Sequence, residues 1–206
     1  MHKKILALLL LLALLVPVSI GARSLVNVSL GFGAAYYPEE GVDFSNGLEN
    51  PDNWLFHGEL SARLAFLQAQ ALVFPIQSDE GGQGILLVGM GSLSLPIIGS
   101  LLSLELGGGV GLTYVPTTST DSRPYYILAD HTEADASAMS FGDALWRSPL
   151  YLQAGLASEL GPIGIRLRYL MASKATLSSL VETKEWWSMF NLETGAVSLV
   201  LSLKMF

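Results

Sequence analysis

A period of two, repeated along the chain, limits this protein more than any other feature. Residues 191–206 read "NLETGAVSLVLSLKMF", with Val197, Leu199, Leu201, Leu203 and Met205 apolar and Ser198, Val200, Ser202 and Lys204 mostly polar between them. Side chains alternate across a strand but recur about every 3.6 residues on a helix, so this segment is one strand separating two environments. Residues 25–37 repeat the pattern with Val26, Val28, Leu30, Phe32, Ala34 and Tyr36 against Asn27, Ser29, Gly31 and Gly33. Residues 54–66, 101–115, 150–159 and 163–172 do the same. Two further strands, 67–76 and 84–95, alternate less cleanly, giving eight in all. A single strand from Trp54 to Gln77 would be about 80 Å long, and the apolar phase flips between Phe66 and Leu67, so a tight turn is expected there.

Composition narrows what the two environments are. Half of the 206 residues are hydrophobic, 14% are charged and the mean hydropathy is +0.46, greasier than a soluble domain of this size requires. Past the N-terminus, however, no apolar run reaches the roughly 18 residues of a membrane-spanning helix. At the start, Met1-His2-Lys3-Lys4 precedes an apolar Ile5–Ile20 and the small pair Gly21-Ala22. That order is a secretory signal peptide, residues 1–22, with cleavage expected near Ala22. Its removal takes two lysines and no acid, moving the formal charge from −7 to −9; this excludes nucleic acid as an expected partner. With no cysteine, disulfides and thiolate metal sites are excluded as well.

The connections alternate in length. Residues 38–53, 77–83, 116–148 and 173–190 are long and polar or mixed, whereas the Phe66–Leu67 turn, 96–99 and 161–164 are minimal. All acidic residues except Glu59, Glu105 and Glu159 lie in or beside the long connections. Soluble barrels also alternate, so direction has to decide. Here the polar face is mostly Gly, Ser and Ala with isolated ions, which suits a crowded interior rather than a solvated exterior. An apolar exterior in lipid leaves no backbone group unpaired, and that demands a closed barrel. Tyr36, Trp54 and Tyr114 fall on the apolar face at the long-loop end, where an interfacial aromatic girdle is expected.

With its signal segment, alternating connections and last strand ending in Phe206, the chain from 23 to 206 resembles the small eight-stranded outer-membrane proteins of the OmpA, OmpX and OmpW group. The resemblance implies an all-β, eight-stranded antiparallel transmembrane β-barrel in the bacterial outer membrane. A monomer bathed in outer-membrane lipid is expected, without cofactor or metal. It also implies that the barrel-assembly machinery reads the last strand through Phe206. Phe206 departs from the pattern by falling out of phase with the odd-numbered apolar positions 197 to 205.

Inside such a barrel, Glu59, Arg63, Glu105, Glu159, Arg166, Arg168 and Lys204 would share a narrow space near the short turns. Charges there must pair, either as a fixed network that plugs the lumen or as a gate whose pairs exchange. Leu72, Phe74, Leu86, Val88 and Met90 are candidates for an apolar pocket higher up, resembling OmpW-like barrels thought to pass small hydrophobic molecules; the competing reading turns them to lipid. Catalysis is not expected. His57 with Glu59 and Ser61 has the i, i+2, i+4 spacing of any inward strand face, and His131 sits in a loop beside Asp130 and Glu133. A lipid-modifying barrel enzyme is the weakest of the functional readings. The acidic and aromatic loops, including Trp186 and Trp187, offer adhesion or ligand capture as the competitor to a narrow channel or binding role for small hydrophobic solutes.

Overall fold

A computed structural model of the chain describes residues 26–38, 44–77, 83–99, 101–116, 123–184, 186–190 and 192–205. The expected signal segment and Phe206 lie outside the described residues. Eight long strands form the body: β1 (Val26–Tyr36), β2 (Trp54–Leu64), β3 (Leu67–Gln77), β4 (Gln83–Ile98), β5 (Leu102–Val115), β8 (Pro149–Leu160), β9 (Ile163–Thr176) and β10 (Leu192–Lys204). Neighbours pair antiparallel in the order β4-β3-β2-β1-β10-β9-β8-β5, and β4 pairs with β5 to close the barrel. Closure leaves none of these eight strands as an edge.

Alternation sets which way each side chain points. The odd positions of β1 and β2, and the even positions of β3, β4, β9 and β10, turn inward and are mostly buried, whereas their partners face out. The exterior carries a continuous apolar surface: Phe32 is 64% exposed, Leu201 60% and Leu167 49%. The interior holds Ser29, Glu59, Ser61, Gln70, Arg166, Arg168 and Ser198, each almost wholly buried. A soluble fold distributes these classes the other way round.

The expected tight turn falls at Ala65-Phe66, flanked by the pair Leu64–Leu67. Ala65 has φ +55°, the left-handed region that a two-residue hairpin demands. Between β4 and β5 the strand continues to Ile98, further than the sequence suggested, and the reversal is made at Gly99, whose φ of +52° suits glycine. The long connections are not featureless. Residues 116–148 contain a small hairpin, β6 (Tyr125–Ile127) and β7 (Glu133–Asp135), which extends the β5 edge at its long-loop end. A short helix, α2 (Phe141–Trp146), follows, capped by Ser140 accepting from the Asp143 N–H. The first long connection contains α1 (Phe44–Glu49), and β9 runs to Thr176 instead of ending near residue 172.

Candidate functional site

The lumen is the candidate site, and the strands bring its ions together at one level. Glu59 on β2 is the hub: Oε1 accepts from Arg166 Nη1 at 2.5 Å, and Oε2 accepts from Arg168 Nη2. Arg166 Nε also lies 3.6 Å from Glu105 Oε1, bringing β5 into the cluster. Uncharged groups extend it. Arg166 Nη2 donates to Ser61 Oγ at 3.1 Å and to Ser29 Oγ at 3.3 Å. Arg168 Nη1 donates to Gln153 Oε1 at 3.3 Å, and Gln153 Nε2 to Gln70 Oε1 at 2.5 Å. Gln70 Nε2 in turn reaches Glu59 Oε1 at 3.4 Å. Every main strand except β4 and β10 thus supplies a group to one web, and β4 joins through Ser92 Oγ at 3.5 Å from Gln70 Oε1.

Nearer the short turns, Arg63 forms a second pair with Glu159. The described ion pairs of the lumen therefore join three carboxylates with three guanidiniums, and this paired set is formally neutral. Balance is what burial demands, because an uncompensated ion here would carry its full desolvation cost. Lys204 is not one of these ion-pair partners, though it lies beside two of them. It lines a recess of ≈ 10 Å³ at the short-turn end with Asn27, Ser29, Glu159, Arg166 and Ser202, hardly more than the space one water occupies.

On the long-loop side of the web the lumen turns apolar. Leu72, Phe74, Leu86, Val88 and Met90 all point inward, at 1–7% exposure, and pack with Leu170, Ala35 and Ala196 into a single cluster. On their own strands Leu72 and Phe74 lie further toward the long connections than Gln70, and Leu86, Val88 and Met90 further than Ser92, while Leu72 pairs with Glu59 itself. These five side chains share one buried cluster on the inward face. The cause is their bulk: eight strands enclose only enough width for interdigitated side chains. His57 marks the boundary between the two zones. Its ring stacks on Phe74 at 4.6 Å between centroids, and its Nε2 lies 2.9 Å from Ser198 Oγ.

The aromatic residues at the long-loop end support loops as much as they face outward. Tyr36, 3% exposed, packs on Trp54 at 5.4 Å, and Trp54 Nε1 donates to the Leu48 carbonyl of α1 at 3.0 Å. Tyr36 is thus covered, where an open girdle position was expected. Tyr114 packs on Tyr126 of β6 at 5.5 Å. Gln70, Gln153, Ser29 and Ser61 complete the ionic web; the sequence marks Ser29 and Ser61 as polar-face residues, but no charge marks the two glutamines. Their signal is phase, since each sits at an inward position of its strand. His131, by contrast, lies in the turn between β6 and β7 with φ +60°, far along the chain from the lumen groups.

Comparison with known proteins agrees with this geometry at the level of fold. No protein-family model and no curated protein matches the chain. Among solved structures, it is similar to the N-terminal β-barrel domain of Pseudomonas aeruginosa OprF, with a TM-score of 0.51 and 10% identity over 87% of this chain and 97% of that domain. Neisserial surface protein A also aligns, at a TM-score of 0.47 and 11% identity, over 90% of this chain and 100% of that one. The Yersinia pestis outer membrane protein Ail gives 0.45 and 15%, over 87% and 99%. The chain has the closed, eight-stranded antiparallel fold of the small outer-membrane β-barrels.

Proposed function

We propose that the protein is a monomeric bacterial outer-membrane barrel with a closed lumen, whose role is to hold and display its long loops at the cell surface. Residues 1–22 direct export, and the apolar exterior meets lipid hydrocarbon. One observation carries the reading: buried ion pairs and a buried apolar cluster both occupy the lumen. The Glu59–Arg166–Arg168 web ties β2 to β9, and Leu72 of the Leu72–Phe74–Leu86–Val88 cluster is the register partner of Glu59. An ion would have to break buried charge pairs and also cross an apolar layer, and each barrier alone is costly. Passage of hydrophobic solutes draws less support, because the side chains expected to line their path are in contact with one another. We assign no catalytic role to His57, which is 1% exposed and engaged with Ser198.

The loops supply the other half of the proposal. The hairpin β6–β7, α2 and the aromatic-rich turn Trp186–Phe190 are internally bonded structures. Asp135 Oδ1, for instance, accepts from both the N–H and the hydroxyl of Ser137, at 2.8 and 2.6 Å. Planar-bilayer recording on the refolded protein tests the reading. No resolved openings are expected at any holding voltage, and reproducible unitary conductance would reject the closed lumen.

A further inference from the structure

Near the long-loop end, three positions of the barrel wall are buried although their strand phase turns them outward. Leu150 of β8 lies in the same alternate set as the exposed Leu156, and Ser173 and Ala175 of β9 in the same set as the exposed Leu167 and Tyr169. Side chains two apart along a strand share a face. Leu150 and Ser173 are also direct register partners. Something must therefore cover the wall from outside.

The cover is the last long connection. After β9 the chain makes one helical turn, Ser179–Thr183, and a 3₁₀ turn, Trp186–Phe190. From this connection Leu177, Leu180 and Met189 pack with Leu150 and Ala175 in one apolar cluster. The Ser173 hydroxyl donates to the Ser188 carbonyl at 3.1 Å, and Trp146 Nε1, at the end of α2, donates to Glu182 Oε1 at 3.4 Å. The connection is thus laid against the outside of the barrel instead of standing off its rim.

Its own outer surface is the reverse of what water selects. Trp187 is 84% and Phe190 62% exposed, with their rings 6.1 Å apart between centroids. Val181 and Trp186 are exposed as well, and exposed apolar residues gathered in one segment mark an interaction surface. The patch adjoins the lipid-facing wall. Leu192, which opens β10 and pairs with Ser173, is exposed, and so are the paired Val197 and Tyr169 further along the same face. The exposed polar groups of Glu182, Thr183 and Lys184 lie in the same segment. Tryptophan beside charged groups suits the headgroup level of a bilayer, where an amphipathic ring has both its environments.

We propose that this connection is a membrane-interface anchor, with Val181, Trp186, Trp187 and Phe190 inserted at the boundary between headgroups and acyl chains of the lipid around the barrel. Lipid is the occupant because the patch continues the wall that hydrocarbon covers. The inference rests on the proposed embedding of the barrel in a membrane.

Depth-dependent quenching of tryptophan fluorescence tests it on the refolded full chain in phosphatidylcholine vesicles. Trp54, Trp146 and Trp186 are replaced by Phe to leave Trp187, and the lipid is brominated either high on its acyl chains or near their methyl ends. Trp187 should be quenched, and more by the shallow bromines than by the deep ones, as insertion by about 5–10 Å requires. The control replaces all four tryptophans by Phe and adds Leu199→Trp, an exposed outward position of β10. A quenched control with Trp187 unquenched, or quenched best by the deep bromines, overturns the anchor and leaves the embedded barrel standing. A control that no bromolipid quenches overturns both. If the replacements prevent folding, a nitroxide on W187C in the otherwise unaltered, cysteine-free chain decides: greater access to oxygen than to a nickel chelate supports the anchor, and the reverse overturns it.

Discussion

Replacing Glu59 by Gln should be the most destabilising near-isosteric change in the barrel. The Glu59 side chain is wholly buried, and its two oxygens face guanidiniums that are 8% and 1% exposed. Glutamine keeps the volume, so no cavity contributes, and the loss is that of charge compensation alone. The ion-paired set goes from formally neutral to +1, with Glu105 at 3.6 Å left as the nearest carboxylate to Arg166. Breaking one side of a buried pair costs about 3–5 kcal/mol, a large share of a total stability of about 5–15 kcal/mol. With an m-value of about 2–3 kcal/mol/M in urea, the unfolding midpoint should fall by about 1–2.5 M. Urea unfolding in lipid vesicles, followed by tryptophan fluorescence, measures it. The decisive arm is Glu59→Gln/Arg168→Gln, which restores neutrality: it should be more stable than the sum of the single losses implies, by about 2–3 kcal/mol. A loss under about 0.5 kcal/mol for Glu59→Gln, the level of an ordinary surface change, or strict additivity in the cycle, would refute the reasoning.

Other perturbations separate the outer surface from the interior and the turns from the strands. Leu167→Arg places a cation on the exterior between Leu156 and Leu199 and should cost about 2–4 kcal/mol in vesicles; a neutral effect would mean that this face does not meet hydrocarbon. Ala65→Pro cannot adopt the observed φ of +55° and should abolish the heat-modifiable folded band on electrophoresis, whereas Ala65→Gly should fold at least as readily as the parent. Gly109→Ala drives a Cβ into the Gly89 backbone and within 2.7 Å of Met90 Cα, so it should lower the folding yield. Gly89→Ala meets nothing within 4 Å and should be tolerated; equal yields would contradict the packing described for β4 and β5.

The barrel was legible because a period of two is a strong signal when it recurs with turns between. Val197 to Met205 could be placed from phase alone, and so could the inward set of β2, because one side of each strand was apolar throughout. In β3 and β4 both faces are apolar, so Leu72 and Val88 read equally well as lipid-facing or inward, and only the register with β2 and β5 places them inside. That these residues share one cluster was not legible, since phase gives direction but not the distance across the barrel. Glu59, Arg166 and Arg168 could be grouped by face, while their web depends on Gln70 and Gln153, whose neutral amides gave no charge to notice. Lys204 shares the inward phase with Ser198 and Ser202 and lies beside Glu159 at the short-turn end.

Spin-label accessibility across one strand tests the central claim most directly, and a chain with no native cysteine makes single labels unambiguous. Labels at residues 198, 199, 200 and 201 of β10, in vesicles, are challenged with oxygen and with a water-soluble nickel chelate. The expected result is strict alternation: Leu199 and Leu201 positions open to oxygen and closed to nickel, Ser198 and Val200 positions shielded from both. Nickel access at 199 and 201, or oxygen access confined to 198 and 200, would place the apolar face away from lipid and contradict it.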